Sequence, residues 1–144
     1  MARVLRKCTL SGVKVYSDTN ECLQEVPKSS VDFVTNSHGA LPISRIAQVL
    51  KPGGVFVTEQ VRATNNFSLS RFLSDDYQPA FPDNNLISAL VNLQKQHLDI
   101  IKCDSAYTKL TFTDVGAIVY YATVILWEFP QFDVQQSMPR LHSL

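Results

Sequence analysis

VDFVTNSHGALPISRIAQVLKPGGVFVTEQV, residues 31–61, carries the strongest structural signal in this chain. Its first six residues are β-branched and aromatic, as in strands, and they run into the polar loop 36–39. Residues 41–50 have apolar side chains at helical spacing, and Pro52 with two glycines then ends the helix. Residues 55–61 are again strand-like, and their apolar start suits a strand covered on both faces. The segment is therefore predicted to form a parallel β–α–β unit.

The composition is that of one globular domain. The chain has 144 residues, of which 45% are hydrophobic and 18% charged, so a buried core is expected. Thirteen basic and thirteen acidic residues give a formal net charge of zero, which predicts no nucleic-acid partner. The longest apolar run is too short and too polar for a membrane span, and no signal peptide is expected. Three cysteines without CxxC spacing favour reduced thiols in a cytoplasmic protein and no metal site.

Weaker patterns predict the remaining elements. Further helices are expected at 65–73, 86–97 and 114–124. Further strands are expected at 13–16, 98–102 and 107–112. Asp114 is a good N-cap for the last helix, and His97 falls on the apolar line of its own helix, where it is expected to be packed. Together these elements predict an α/β fold.

Four segments resemble class I S-adenosylmethionine-dependent methyltransferases. Residues 31–36, VDFVTN, and 47–58, AQVLKPGGVFVT, look like the middle of that fold, where a strand, a helix and an LKPGG turn precede the next strand. Residues 114–121, DVGAIVYY, and 127–132, WEFPQF, resemble the tail of one bacterial subgroup. The resemblance implies an incomplete Rossmann-like methyltransferase sheet with parallel core strands in a three-layer α/β/α arrangement. It also implies a single truncated domain over residues 1–144.

The features with which this family grips its cofactor are missing from the sequence. None of the five glycines belongs to a GxGxxG-like cluster between a strand and a helix, and the ribose-binding acidic residue has no counterpart. We therefore expect a methyltransferase-like domain that is inactive alone, with S-adenosylmethionine as its cofactor if it binds any, and with no metal. The alternative is an active methyltransferase for a small-molecule acceptor, completed by a second chain or by homo-oligomerisation. An exposed apolar strand edge at 31–36 would invite such a partner.

Cofactor contacts are expected where the predicted strands end. By the resemblance, Asp18 and Thr19 would contact the adenine, although the same residues are typical of an Asx turn. Asn36 and Ser37 end a strand at the edge where open α/β sheets place ligands, and they are the other predicted cofactor contacts. Family members tend to read TNRHE there, and this chain reads TNSHG. His38 is the candidate general base, with a solvated or capping histidine as the alternative.

Substrate contacts are predicted at two further places. Glu59 and Gln60 end the second strand of the unit on the same edge, and their alternative role is to solvate the strand end. Tyr120 and Trp127 would line a substrate pocket, although aromatic residues spaced like these are more often part of a core.

Overall fold

The computed structural model describes residues 23–144 of the chain, which divide between two compact units. The first unit contains residues 23–60 and 91–100 of this range, and the second contains residues 61–90 and 101–144. The strands are β1 (Val31–Ser37) and β2 (Leu50–Glu59). The helices are α1 (Ile43–Val49), α2 (Phe67–Leu73), α3 (Leu86–Lys95), α4 (Val115–Val124) and α5 (Val134–Leu141). The strand predicted at 13–16 lies outside the described residues.

β1, α1 and β2 form the β–α–β unit that the sequence predicts. The two strands are parallel neighbours, with Phe33 opposite Val55 and Asn36 opposite Thr58. The helix α1 joins them and buries the apolar side chains that recur at helical spacing. These are Ile43, Ile46 and Val49. A mixed α/β fold with a two-stranded parallel sheet is thus confirmed for the described residues.

The Lys-Pro-Gly-Gly sequence forms an irregular entry into β2 instead of a separate turn. The helix α1 ends one residue before Leu50, which is already extended and lies opposite Val31. The next paired position along β2 is Val55, opposite Phe33, so the residues between them interrupt the register. Gly53 takes up the irregularity at φ 80°, a left-handed conformation that favours glycine because glycine has no Cβ.

One face of this sheet is exposed. Phe33 on β1 and Val55 and Val57 on β2 are all accessible to solvent. Val34 and Phe56, which point to the opposite face because side chains alternate along a strand, are half-buried. The prediction that β2 is covered on both faces is therefore wrong.

The second unit has a core formed by α2, α4, α5 and the turn after α4. Its buried apolar residues are Leu73, Ile118, Ala122, Phe129 and Leu141. Aromatic rings extend this core, because the ring centroid of Tyr121 lies 5.2 Å from that of Phe112 and 5.9 Å from that of Phe129. Tilted and edge-to-face pairs of this kind add to the stabilisation that comes from burial alone.

Aspartate caps begin two helices of this unit. Oδ1 of Asp114 accepts a hydrogen bond from the backbone N of Ala117 at 2.8 Å, which confirms the N-cap predicted for α4. Oδ1 of Asp133 accepts from the backbone N of Gln136 at 2.8 Å in the same way and begins α5. The sequence patterns did not predict α5, because Pro139 within it is a residue that usually breaks a helix. No helix of residues 23–144 is long and apolar enough to cross a membrane.

His97 ends α3 and does not pack in the interior. Its φ is 58°, its backbone NH donates to Gln94 O at 2.9 Å, and the NH of Leu98 donates to Leu93 O at 3.2 Å. This pair of bonds is a Schellman motif, which satisfies the last carbonyls of the helix. His97 is exposed at that position, so the prediction that it is packed is wrong.

The strands predicted at 98–102 and 107–112 are also wrong. Neither segment is assigned to a strand or paired in the two-stranded sheet, which contains only β1 and β2 among the described residues. Side-chain contacts hold the second segment instead. Arg62 bonds Tyr107, and Phe112 packs against the ring of Tyr121. Alternation of apolar side chains predicts a strand, but it does not supply the neighbouring strand that a ladder requires.

Candidate ligand-binding edge of the sheet

The carboxyl ends of β1 and β2 lie side by side and carry polar residues. Ser37 lies opposite Glu59 in the parallel register, and the backbone NH of His38 extends the pairing by donating to Glu59 O at 3.0 Å. Open parallel sheets place their ligands at this edge. The structure brings together the five residues predicted for it, which are Asn36, Ser37, His38, Glu59 and Gln60.

Three side chains at this edge form a closed triangle of hydrogen bonds. Nε2 of Gln60 donates to Oδ1 of Asn36 at 2.5 Å and to Oγ1 of Thr58 at 2.8 Å. Oγ1 of Thr58 in turn donates to Oδ1 of Asn36 at 3.5 Å. Nδ2 of Asn36 donates to the carbonyl oxygen of Ala40 at 3.1 Å. Because both ends of the Asn36 amide have partners, its orientation is fixed before any ligand arrives.

A histidine–carboxylate pair lies next to this triangle. Nε2 of His38 is 3.6 Å from Oε2 of Glu59, and the two side chains are 55% and 77% exposed. The imidazole and the carboxylate are thus close together and accessible to solvent, where a ligand at this edge could reach both. Sequence patterns offered no carboxylate partner for His38, because only the register of the two strands brings Glu59 to it.

The backbone at His38 is in an unusual conformation. Its φ is 54°, in the left-handed region that costs a residue with a Cβ about 1–2 kcal/mol. Such residues occur often at binding sites, where the surrounding structure holds them in place. At this edge, the cost is offset in part by the backbone bond from His38 to Glu59 O.

Thr58 is a member of the triangle that sequence reasoning missed. It lies within β2 and looks like an ordinary strand residue. The parallel register puts it opposite Asn36, and paired residues of neighbouring strands present their side chains to the same face. A predicted register for the strand pair would have been the signal that identifies Thr58.

The described glycines do not form a cradle for S-adenosylmethionine. A Cβ built on Gly39 would meet Nδ2 of Asn36 at 3.5 Å, an ordinary van der Waals contact. Gly54 is crowded, but by the chain itself, because a Cβ there would lie 3.0 Å from Lys51 O and 3.2 Å from Val31 O. A Cβ on Gly53 would meet nothing within 4 Å, but no described glycine belongs to a GxGxxG-like cluster between a strand and a helix.

The remaining predicted contacts are Asp18, Thr19, Tyr120 and Trp127. Asp18 and Thr19 lie outside the described residues. Tyr120 and Trp127 belong to the second unit and are exposed, whereas Phe129 beside them is part of the core. A substrate role for Tyr120 and Trp127 stays a prediction. Among residues 23–144, no group of three His, Cys, Asp or Glu side chains could hold a metal ion.

A second polar cluster, in the other unit, surrounds Glu128. Partial burial raises the pKa of this carboxyl above its ordinary value of 4.5, and hydrogen bonds from Asn65 and Asn66 oppose that rise. Burial also raises the pKa of Tyr77, with a further contribution from the negative charge of Glu128. Ser70 donates to the carbonyl oxygen of Glu128 at 3.1 Å, which ties the turn after α4 to α2.

Comparison with known proteins adds no constraint on either cluster. No family model, no curated protein and no solved structure matches this chain.

Proposed function

We propose that this chain is a methyltransferase-like domain that presents a polar ligand-binding edge and does not hold S-adenosylmethionine alone. The observation that carries the proposal is the hydrogen-bonded triangle of Asn36, Thr58 and Gln60 at the carboxyl edge of a parallel β–α–β unit. The Lys-Pro-Gly-Gly sequence between α1 and the regular part of β2 supports the family relationship. In this proposal, β1 and β2 are the central strands of an incomplete three-layer, Rossmann-like sheet.

Each residue of the edge has a role in the proposal. Asn36 and Ser37 face the cofactor when it is present, and Glu59 and Gln60 contact the methyl acceptor. His38 takes a proton from the acceptor at Nδ1, because its Nε2 is turned toward Glu59. The Glu59 carboxylate then stabilises the imidazolium that results.

The second candidate function is an active methyltransferase completed by another polypeptide. It is favoured by the exposed apolar face of the sheet at Phe33, Val55 and Val57. Parallel strands in α/β proteins are normally covered on both faces, so this face has the character of one that a partner covers. The partner is either a second copy or a chain that carries a strand, a glycine-rich loop and a helix.

Calorimetric titration of the chain with S-adenosylmethionine tests the first proposal. We expect no saturable binding up to about 1 mM, because the sequence contains no GxGxxG-like cluster to approach the cofactor. Saturable binding at micromolar concentration by the chain alone would contradict the claim that it cannot hold the cofactor.

Mixing the chain with a polypeptide that supplies the missing segment tests both the ligand-binding edge and the second candidate function. The polypeptide should carry the strand, GxGxxG loop and helix of the resembling family. Cofactor binding and methyl transfer gained on mixing support the second candidate, and their absence counts against it. In a mixture that binds, Asn36→Ala is expected to weaken binding at least tenfold, whereas Asn92→Ala on the exposed side of α3 leaves it unchanged. Equal effects of the two variants would contradict the assignment of the edge.

A further inference from the structure

The helix α4 and the turn after it have an unusual composition for residues at a surface. Between Asp114 and Glu128 the sequence is VGAIVYYATVILW, without a single charged residue. A helix that is apolar on all sides is normally buried on all sides. Only one side of α4 meets that expectation, through the buried residues Ile118 and Ala122.

The other side of this segment forms an exposed apolar patch. Tyr120 keeps 71% of its surface accessible and Val124 keeps 53%, and their i, i+4 spacing places them on one helix face. Leu126 and Trp127, in the turn that follows, are each 56% exposed. We call these four residues the α4 patch. Grouped, exposed apolar side chains are a feature of interaction surfaces.

We infer that the α4 patch is covered by a second copy of this chain. In a two-fold dimer the same surface occurs on both subunits, so any charge near the axis would face its own like charge. The α4 patch contains no charge, and the chain as a whole has a formal net charge of zero, so neither local nor long-range repulsion opposes self-association. A partner with a charged surface would find no complementary charge on the α4 patch.

The size of the α4 patch sets the expected strength of the dimer. The exposed parts of its four side chains amount to roughly 400 Å². Two copies would therefore bury about 800 Å² of apolar surface. That is less than stable complexes bury and is typical of weak, transient association, so we expect a dissociation constant of about 10–100 μM. This inference is independent of the proposed function and gives Tyr120 and Trp127 a role other than substrate binding.

Trp127 is the only tryptophan in the chain, so its fluorescence reports directly on the α4 patch. The experiment is sedimentation velocity of the full chain from about 1 to 500 μM, with Trp127 emission and acrylamide quenching measured on the same samples. We expect dimers to accumulate over this range. In parallel, Trp127 emission should shift to the blue and its quenching should fall.

Matched variants assign the interface. Tyr120→Glu is expected to raise the dissociation constant more than tenfold, because each dimer would then bury two like charges, and Leu126→Glu should do the same. Ile87→Glu serves as the control, because Ile87 is 74% exposed on α3, outside the α4 patch, and its substitution should leave the constant unchanged. Far-UV circular dichroism checks that each variant is folded. A chain that stays monomeric at 500 μM, or a dimer that Ile87→Glu weakens as much as Tyr120→Glu, would overturn the inference.

Discussion

The backbone NH of His38 donates to the carbonyl oxygen of Glu59 at 3.0 Å, while the side chains of the same two residues lie 3.6 Å apart, Nε2 to Oε2. The pairing of β1 with β2 therefore positions the backbone of His38 and brings the Glu59 carboxylate close to its imidazole. To make the backbone bond, His38 adopts a left-handed conformation with φ 54°. The backbone hydrogen bond that extends the strand pairing at this edge is therefore accompanied by local backbone strain at His38.

Substitution of His38 tests this strain. At φ 54°, His38→Gly is expected to be more stable than His38→Ala by about 1 kcal/mol, because only glycine occupies this region without a steric cost. The comparison between the two variants cancels the loss of the pair with Glu59. Urea denaturation followed by circular dichroism measures the difference.

His142 provides the control for that comparison. Its φ is −71° at the end of α5, where a Cβ causes no strain. There we expect the order to reverse, with His142→Ala more stable than His142→Gly by about 0.5–1 kcal/mol. The same order of stability at both positions would argue against a strained backbone at His38.

Glu128 is expected to make the stability of the second unit depend on pH. Burial raises the pKa of its carboxyl in the folded state, so the folded chain holds a proton that the unfolded chain has already lost. The contribution of Glu128 to the free energy of unfolding therefore falls as pH rises from about 4.5 through the raised pKa. At pH 7, Glu128→Gln should be more stable than the native chain, and the gain should vanish below pH 4.5.

Thermal denaturation between pH 4 and pH 8 measures this dependence. Asp76→Asn removes one carboxylate from an exposed position of the same unit and controls for the change in net charge. If both variants change stability equally at every pH, burial of Glu128 is not the cause.

Arg62 is expected to hold the segment that follows α3. Its guanidinium donates to Oγ of Ser105 at 2.8 Å and to the hydroxyl of Tyr107, and its Cζ lies 4.7 Å from the centroid of the Tyr107 ring. Lysine cannot make a forked contact and stack at the same time. Arg62→Lys should therefore speed limited proteolysis within residues 100–113 several-fold, while Arg71→Lys, at an exposed position of α2, leaves it unchanged.

Phe129 should be the residue on which the core of the second unit depends most. It is 3% exposed and its ring packs edge-on against Tyr121. Phe129→Ala is expected to lower the free energy of unfolding by about 3–5 kcal/mol, because it leaves a cavity that neighbouring side chains cannot fill. Phe81→Ala, at a largely exposed position, should change it by less than about 0.5 kcal/mol in the same denaturation experiment.

The parts of the fold that sequence predicted are those determined by local patterns. The β–α–β unit followed from two apolar strands around one helix, and the start of α4 followed from the capping side chain of Asp114. The predictions that failed depend on contacts between residues that are far apart in the sequence. Residues 98–102 and 107–112 have the composition of strands but form none, because composition does not reveal whether a neighbouring strand is present.

The same distinction applies to the candidate site. The polar residues of the edge were predicted because parallel strands end together, and this follows from chain direction alone. The pairing of His38 with Glu59 and the role of Thr58 were not predicted, because both require the register of β1 against β2. The burial of Phe129 beside an exposed Tyr120 depends on which side of α4 faces the core, and an evenly apolar helix gives no such direction.

In the function proposed above, this chain carries a ligand-binding edge but does not hold the methyl donor unaided. The most direct test is a titration of the ¹⁵N-labelled chain with S-adenosylmethionine, followed by NMR at the side-chain amides of Asn36 and Gln60. We expect both amide resonances to stay in place up to about 1 mM donor, and to shift when a polypeptide with the glycine-rich loop is also present. Saturable shifts with the chain alone at micromolar donor would contradict the account.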